Sequence, residues 1–414
     1  MEIRRDHRSR LKHLMYLTHL SLTDFRIFSR LDQDIPKNSL ILIGDNAQGK
    51  TSLLEAVYFV SSMDSIQAGS SGELINFSAQ RKDIAVARIV ADYHKGERGH
   101  QIEIRLIQDT NNNGNPYVRK EVFLDGQKRQ INHVVGHFNA VLFLPHMLQM
   151  ITESPRQRRR YLNLTISQVH PAYNDYLTEY NKAISQRNAL LKQLSDRGGD
   201  PDQLAYWDEL VTQNGSRIMY ARIQFLRELE HQAASIHQEL TRGEEVLRLA
   251  YQPAYEPLPN PPGQIELPLQ NPLDRSGLSL EEIEDGLRER LLELRGEEIN
   301  RGVTTIGPHR DDVLFLSNGV DLGTYGSRGQ IRTTLLALKM AEVAWIREKN
   351  GHWPVLLLDE VLAELDETRR RDLLDRLAKT EQSLLTTTDI SLFTPEFREK
   401  SQLWHIRQGR LQAN

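Results

Sequence analysis

Gly44-Asp45-Asn46-Ala47-Gln48-Gly49-Lys50-Thr51 matches the phosphate-binding loop pattern G-x-x-x-x-G-K-[ST]. Upstream, Ser39-Leu40-Ile41-Leu42-Ile43 is apolar and β-branched and reads as a buried strand. Downstream, Ser52-Leu53-Leu54-Glu55-Ala56-Val57-Tyr58 is rich in helix formers. Strand, glycine loop and helix in succession specify an α/β nucleotide-binding core. The glycines let the backbone curl so that successive N–H groups face an anion, and the new helix adds its positive end. Gly44 through Ser52 are therefore candidate ligands of ATP. In this reading Lys50 reaches the β- and γ-phosphates, and Thr51 holds Mg2+.

The chain has 414 residues, enough for two domains or one large domain with an insertion. Hydrophobic content of 39% and charged content of 26% suit a water-soluble fold. The formal net charge of −4 neither points to nucleic acid nor excludes it, so any DNA footprint has to be a local patch. There is no cysteine, which removes disulfides, iron–sulfur clusters and thiolate zinc sites. No apolar run approaches the roughly 18 residues of a membrane span, and no signal-like core follows the basic stretch Met1 to Lys12. A cytoplasmic protein without membrane contact is the expectation. The first fourteen residues read as a basic extension.

Around the loop the chain changes character twice. Tyr16 to Arg26, Ile84 to Tyr93, Gln101 to Ile107 and Tyr117 to Leu124 alternate as β-strands. Asn111 to Pro116 and Asp125-Gly126 supply turns, which makes this an antiparallel region appended to the core. Val141 to Leu144 is a short buried strand. From Gln157 to about Glu245 the pattern is helical and polar, broken at Arg197-Gly198-Gly199-Asp200-Pro201, as in an antiparallel hairpin or short arm. Tyr251 to Arg275 is proline-rich and reads as a surface loop, and Leu278 to Arg295 is helical again. Strands return at Val313 to Leu316, Val320 to Leu322, Val355 to Leu358 and around Leu384-Leu385, the last one expected. The implied division is residues 1–155 and 299–414 for the two parts of an ATPase head, and 156–298 for a helical lobe.

Asp359 and Glu360 close the apolar strand Val355 to Leu358, which is a Walker B pattern. Asp359 is the candidate metal ligand opposite Thr51, and Glu360 the candidate residue that polarises the attacking water. With Lys50 they form the expected catalytic set. Ser327-Arg328-Gly329-Gln330 opens a helical stretch. A helix N-cap explains Ser327 on its own. The segment also resembles the S-x-G-Q signature of ABC-type ATPases, which caps the γ-phosphate held by a second subunit. That resemblance implies a homodimer with ATP in its interface, contacted by Ser327, Gly329 and Gln330. Leu362 to Asp366 then resembles the D-loop, with Asp366 at the interface. Asp389 stands where transporters of this class carry a switch histidine. Gly44 and Ser327 are separated by most of the chain, unlike in transporter ATPases, and there is no room for the long coiled coil of large SMC proteins.

The chain resembles the RecF family, bacterial recombination-mediator ATPases with a compact SMC-like head. The resemblance is carried by Leu20 to Arg26, the phosphate loop with Leu53 to Ala56, Glu73 to Ile75, Ser154-Pro155 with Arg158-Arg159, and Gln186-Arg187-Asn188. Gly307-Pro308-His309-Arg310-Asp311-Asp312, the signature through Arg332, and Asp359 to Asp366 complete it. It implies an ABC-type P-loop ATPase head, of mixed sheet with an antiparallel β subdomain, plus a helical lobe with a short arm. It further implies slow DNA-stimulated ATP hydrolysis, ATP-dependent homodimers, and binding of double-stranded, gapped and single-stranded DNA. Work with RecR and RecO in loading RecA, in recombinational repair and replication-fork maintenance, is implied too. Three segments depart from the family pattern: Asp64-Ser65-Ile66-Gln67, Pro145-His146-Met147-Leu148 and Tyr161-Leu162-Asn163. The last two bear on how γ-phosphate couples to the helical lobe.

Arg156, Arg158, Arg159 and Arg160, and Arg369, Arg370 and Arg371, are the candidate DNA-contacting runs. Contacts to phosphate there predict steep salt dependence and little sequence preference. Two other readings compete. An SMC-like ATPase of the overcoming-lysogenization type usually carries a nuclease domain, for which few residues follow the expected last strand. A degenerate head that binds nucleotide without significant turnover is disfavoured by Glu360 and mildly favoured by the changed His146-Met147 segment.

Overall fold

The computed structural model describes residues 14–65, 67–80, 85–110, 116–258 and 273–413. Two compact units emerge, Met1–His146 with Glu342–Asn414, and Met147–Ala341. The expected boundaries lay at 155/156 and 298/299. Residues 299–341, including Ser327, belong instead to the second unit. Most of the Asn111 to Pro116 turn, the proline-rich stretch 259–272 and residues 1–13 lie outside the described residues.

In chain order the strands are β1 (Met15–Phe25), β2 (Phe28–Asp34), β3 (Leu40–Ile43), β4 (Val86–Lys95), β5 (Arg98–Thr110), β6 (Pro116–Leu124), β7 (Gln127–Arg129), β8 (Ala140–Phe143), β9 (Leu247–Gln252), β10 (Asp312–Ser317), β11 (Val320–Asp321), β12 (Val355–Asp359), β13 (Ser383–Thr387), β14 (Gln402–Arg407) and β15 (Arg410–Ala413). The first unit holds two six-stranded sheets. One has the order β2-β1-β4-β5-β6-β7 and is antiparallel throughout. On β4 the buried face is carried by every second residue, Ala87, Ile89, Ala91 and Tyr93. The other has the order β15-β14-β3-β13-β12-β8, parallel except for β15. β8, β12 and β13 are buried along their length, β8 although it is an edge strand, as expected where both faces of a parallel sheet are covered.

Five strands escaped the sequence reading, β9 among them. β2 offers only Phe28 and Leu31 as apolar anchors, and forms because β1 pairs them with Phe25 and Leu22. The short β7 is exposed at all three positions. β14 and β15 follow the strand taken as the last. β14 lies parallel to β3, with Trp404 opposite Leu42, and buries Trp404 and Ile406.

The second unit is mainly helical. The expected continuous helix from Gln157 divides into α1 (Pro155–Ser167) and α2 (Pro171–Arg197). Pro171 cannot donate to a preceding turn, and it pushes His170 out of helical geometry (φ −116°, ψ 89°). After the glycine break come α3 (Ala205–Leu240) and α4 (Leu280–Arg301). α4 packs on the α2–α3 hairpin, with Ile299 and Leu190 against Leu191, Leu194 and Leu204. The arm is therefore a three-helix bundle. At its centre the fully buried Arg187 donates to Asp208 Oδ1 (2.7 Å), Glu298 Oε2 (2.6 Å) and Thr304 Oγ1 (2.8 Å). The antiparallel sheet β11-β10-β9 completes the unit. Asn318-Gly319 makes its β10–β11 turn with positive φ at both residues (49° and 79°). β9 starts before the expected loop and ends inside it. Tyr251 is buried, and Arg275 is buried on Glu256 and the Tyr251 carbonyl, so both ends of that loop are structured.

Candidate nucleotide-binding and hydrolysis site

The phosphate loop leaves β3 at Gly44 and enters the helix Lys50–Ser62. Gly44 packs against β14: a Cβ there would lie 2.5 Å from the Ile406 carbonyl oxygen. Gly49 has φ 108°, and a Cβ on it would lie 2.8 Å from Ile27 Cγ2. The missed strand β14 thus forms one wall of the loop. Its turn also pins the loop, since Gln408 N donates to Gln48 Oε1 (2.7 Å) and Gly409 N to the Gln48 carbonyl (3.0 Å).

The carboxyl ends of three neighbouring parallel strands converge here. Thr51 Oγ1 donates to Asp359 Oδ2 at 2.7 Å. Thr386 Oγ1, from β13, donates to Asp359 Oδ1 at 2.7 Å and accepts the Glu360 N–H at 3.0 Å. Lys50 Nζ meets Glu360 Oε1 at 2.7 Å and also donates to the Gly44 carbonyl. The chain leaves β12 through Glu360 in the left-handed conformation (φ 52°), which costs a non-glycine residue about 1 kcal/mol or more. Thr388 N donates to Glu360 Oε2 at 3.3 Å. The structure therefore brings together Lys50, Thr51, Asp359 and Glu360 as the sequence expected, and adds Thr386. A hydroxyl beside a carboxylate is a hard oxygen donor set. It suits Mg2+, which takes few protein ligands and completes its shell with water and phosphate. Thr51 and Asp359 would hold that ion, and bound there it would neutralise phosphate charge.

His146 lies in the 3-10 turn Pro145–Leu148 after β8, the strand that pairs with β12. Burial holds its pKa below 6.5, against the opposing pull of Asp359. An imidazole held toward its neutral form within the electrostatic reach of Asp359, the candidate metal ligand, is a feature that the altered family segment flagged without specifying. In the segment Asp64 to Gln67, Ser65 donates to Glu55, whose carboxylate grips Arg26 through two bonds (2.7 and 2.8 Å); Ile66 lies outside the described residues. Asp366 is exposed and caps the helix Glu367–Leu377, accepting from Arg369 N at 3.0 Å. That N–H, followed by the Arg369 charge, lowers its pKa. The Asp389 carboxylate caps the turn Ile390–Leu392 by accepting from Ser391 N at 2.8 Å.

In the second unit Ser327 and Gly329 are exposed. Ser327 and Gln330 form a reciprocal capping box: Ser327 Oγ accepts from Gln330 N (3.2 Å), and Gln330 Oε1 accepts from Ser327 N (3.0 Å). The N-cap reading therefore holds at Ser327.

The sequence profile of the RecF/RecN/SMC N-terminal domain family matches residues 16–409. The chain is 36% identical over 406 residues to the DNA replication and repair protein RecF of Bacillus subtilis, covering 96% of this chain and 100% of that one. With the RecF of an Exiguobacterium species identity is 34% over 399 residues, covering 96% and 99%. The chain belongs to the RecF family. A solved structure of the recombination mediator protein RecF in the RecFOR pathway, with ATP, overlays at TM-score 0.81 and 28% identity, covering 97% of this chain and 98% of the other. An Smc head domain from Pyrococcus furiosus overlays at TM-score 0.50 and 16% identity, a likeness of fold alone. The fold is that of an SMC-like, ABC-type ATPase head, in a family of DNA replication and repair proteins.

Several residues that mark the family prove to be internal to the helical unit. His309 Nδ1 accepts from the buried Tyr180 hydroxyl (2.7 Å), and its Nε2 faces the Thr304 carbonyl (3.3 Å). Asp311 is fully buried against Arg222 (3.0 Å), Tyr251 and the Ala254 N–H (3.0 Å). Asp312 takes Arg158 through two bonds (2.6 and 2.8 Å), and Arg159 donates to the Asp311 carbonyl (2.7 Å). Arg158 is buried and is removed as a DNA contact; its guanidinium was legible as charge but not as a partner of Asp312. At Asn163 the neutral amide oxygen accepts from Tyr173 (2.9 Å) and Arg222 (3.0 Å), so this departure from the family pattern leaves no donor stranded. In the first unit, Arg369 pairs with Asp366, Arg370 donates to the Leu362 and Leu365 carbonyls, and Arg371 pairs with Glu367.

Burial lowers the His309 pKa from 6.5 to about 4. The unfolded chain thus takes up this proton first as pH falls. Stability contributed by neutral His309 is full above 6.5 and declines between 6.5 and about 4, a loss on the order of 3 kcal/mol. Denaturant midpoints between pH 7 and 4 should fall more steeply for the wild type than for His309→Gln. Equal slopes would remove His309 as the titrating group.

Proposed function

We propose that this chain is an ATP-dependent DNA-binding protein of recombinational repair and replication-fork maintenance, in which ATP joins two copies. The observation that carries the reading is the convergence of Lys50, Thr51, Asp359 and Glu360 at one end of the parallel sheet, with a 2.7 Å Lys50–Glu360 contact. Lys50 neutralises Glu360 until a γ-phosphate competes for the ammonium. Binding ATP therefore frees the carboxylate that orients the attacking water. The base becomes available only when there is something to hydrolyse.

Ser327 and Gly329 are exposed and belong to a different compact unit from Lys50. In this reading they complete the site of a second copy, with Asp366 at the same interface. Double-stranded, gapped and single-stranded DNA are the nucleic-acid partners. RecO and RecR are the protein partners, by extension from a relative described as acting in the RecFOR pathway, with RecA loading as the outcome. No helix among the described residues is long and apolar enough to cross a membrane.

Lys50→Ala is expected to abolish ATP binding, ATP-dependent dimers and ATP-dependent DNA binding together. Ser327→Ala and Gly329→Asp should bind nucleotide as monomers but lose the dimer. Sizing with and without ATP, combined with DNA binding, checks this. Wild-type dimers from both signature variants would end the two-copy reading. Turnover that is unmeasurable with or without gapped DNA would leave a nucleotide-binding module in place of an enzyme.

A further inference from the structure

Gln330 has a carboxamide with one acceptor oxygen and two N–H donors. Its orientation is forced from both sides. Ser327 N is a donor, so Oε1 must face it at 3.0 Å. Glu245 is an acceptor, so Nε2 must face it, at 3.2 Å from Oε1. Glu245 is itself held, since its Oε2 accepts from Ser317 Oγ on β10 at 2.7 Å. One helical turn beyond Gln330, on the same face, Thr334 Oγ1 meets Nε2 of the fully buried His237 at 3.2 Å. That nitrogen lies 3.8 Å from Glu245 Oε2. The first two turns of the helix Arg328–Asn350 are thus fixed at residues 330 and 334 by groups from the end of α3 and the segment leading to β9. What points outward is different. Ser327 Oγ accepts from Gln330 N and keeps its own proton to donate. Gly329 has nothing but that same hydroxyl within 4 Å of its Cβ position.

We infer that Glu245 is a positioning residue that locks the signature segment through Gln330, and that the Gln330 side chain faces Glu245 and makes no contact with nucleotide. This rests on the two-copy reading of the signature. The recognition surface for the γ-phosphate of a second copy is then the Ser327 hydroxyl and the backbone N–H groups of the helix start. Gln330 and Glu245 set their direction before any partner arrives.

The test exploits the polarity of one hydrogen bond. Gln330→Glu keeps the capping box, because a glutamate oxygen accepts from Ser327 N equally well, but sets two carboxylates against each other. The exchange Glu245→Gln with Gln330→Glu restores a bond of reversed direction, and the new amide oxygen still accepts from Ser317. Full-length proteins are compared for binding of a fluorescent ATP analogue by the monomer, melting temperature, and ATP-dependent dimer formation with turnover. Gln330→Glu should leave monomer nucleotide affinity and melting temperature near wild type and lower dimerisation and turnover by roughly tenfold or more. The exchanged pair should recover most of that loss. Wild-type dimerisation by Gln330→Glu, or no recovery in the exchanged pair, overturns the inference; the second result would mean that the Gln330 side chain touches nucleotide itself. Gly329→Asp serves as the reference. If it dimerises normally, the two-copy reading fails and takes the inference with it. If it does not, and Gln330→Glu does, the inference fails alone.

Discussion

Glu360→Gln is expected to lower ATP turnover by roughly 10²- to 10³-fold, the scale of a lost general base, while nucleotide affinity holds or rises. The substitution is isosteric and keeps the 3.3 Å acceptance from Thr388 N. It removes the charge that accepts a proton from water. It also removes the partner that competes with phosphate for Lys50, now held 2.7 Å from Glu360 Oε1. The two effects run in opposite directions, which separates this variant from damage to the loop: Lys50→Ala loses affinity and turnover together. The check is turnover at saturating ATP beside equilibrium nucleotide binding. Turnover within a few-fold of wild type would remove Glu360 from the chemistry. On the two-copy proposal, ATP-dependent dimers of Glu360→Gln should also persist longer than those of the wild type, because hydrolysis would release them.

Arg222→Ala is expected to destabilise the helical unit by about 3–5 kcal/mol, the cost of breaking a buried pair from one side. Arg222 is fully buried and donates to Asp311 Oδ2 (3.0 Å), the Pro308 carbonyl (2.6 Å), Asn163 Oδ1 (3.0 Å) and the Tyr173 hydroxyl (3.3 Å). Removing it strands an ionised carboxylate that Tyr251 and the Ala254 N–H only partly satisfy. Burial already raises the Asp311 pKa, and Arg222 is the main influence holding it down. Without the guanidinium the carboxyl protonates more readily in the folded state than in the unfolded chain. The variant should therefore lose less stability at pH 5 than at pH 7. Denaturant midpoints at the two pH values measure this, with the two units followed separately because one transition need not describe both. A loss under about 1 kcal/mol at pH 7 would show that the network is not carrying the unit.

By itself the sequence determined which residues gather around the phosphate loop. Gly44, Gly49, Lys50, Thr51, Asp359 and Glu360 sit in local patterns, loop before helix and acids after an apolar strand, whose geometry follows from a few neighbouring residues. Most of the antiparallel region was legible for a related reason, since a sheet with one buried face writes its period into its longer strands, as on β4, and not into the short β7. Periodicity does not say what a strand lies beside. β14 is a short alternating segment until β3 and Gly44 are placed against it. Thr386 joins the site only because β13 neighbours β12. Charge is the sharper case. Arg156 and Arg158 look alike in sequence; Arg156 is exposed, while Arg158 is buried on Asp312, 154 residues away. Gln330 read as a nucleotide ligand because its signature motif names residue types and not directions. Which way its amide points was decided by Ser327 on one side and Glu245, 85 residues earlier, on the other. A side chain with several donors takes the partners that tertiary packing brings within about 3 Å, and that information is absent from the residue's own neighbourhood in the chain.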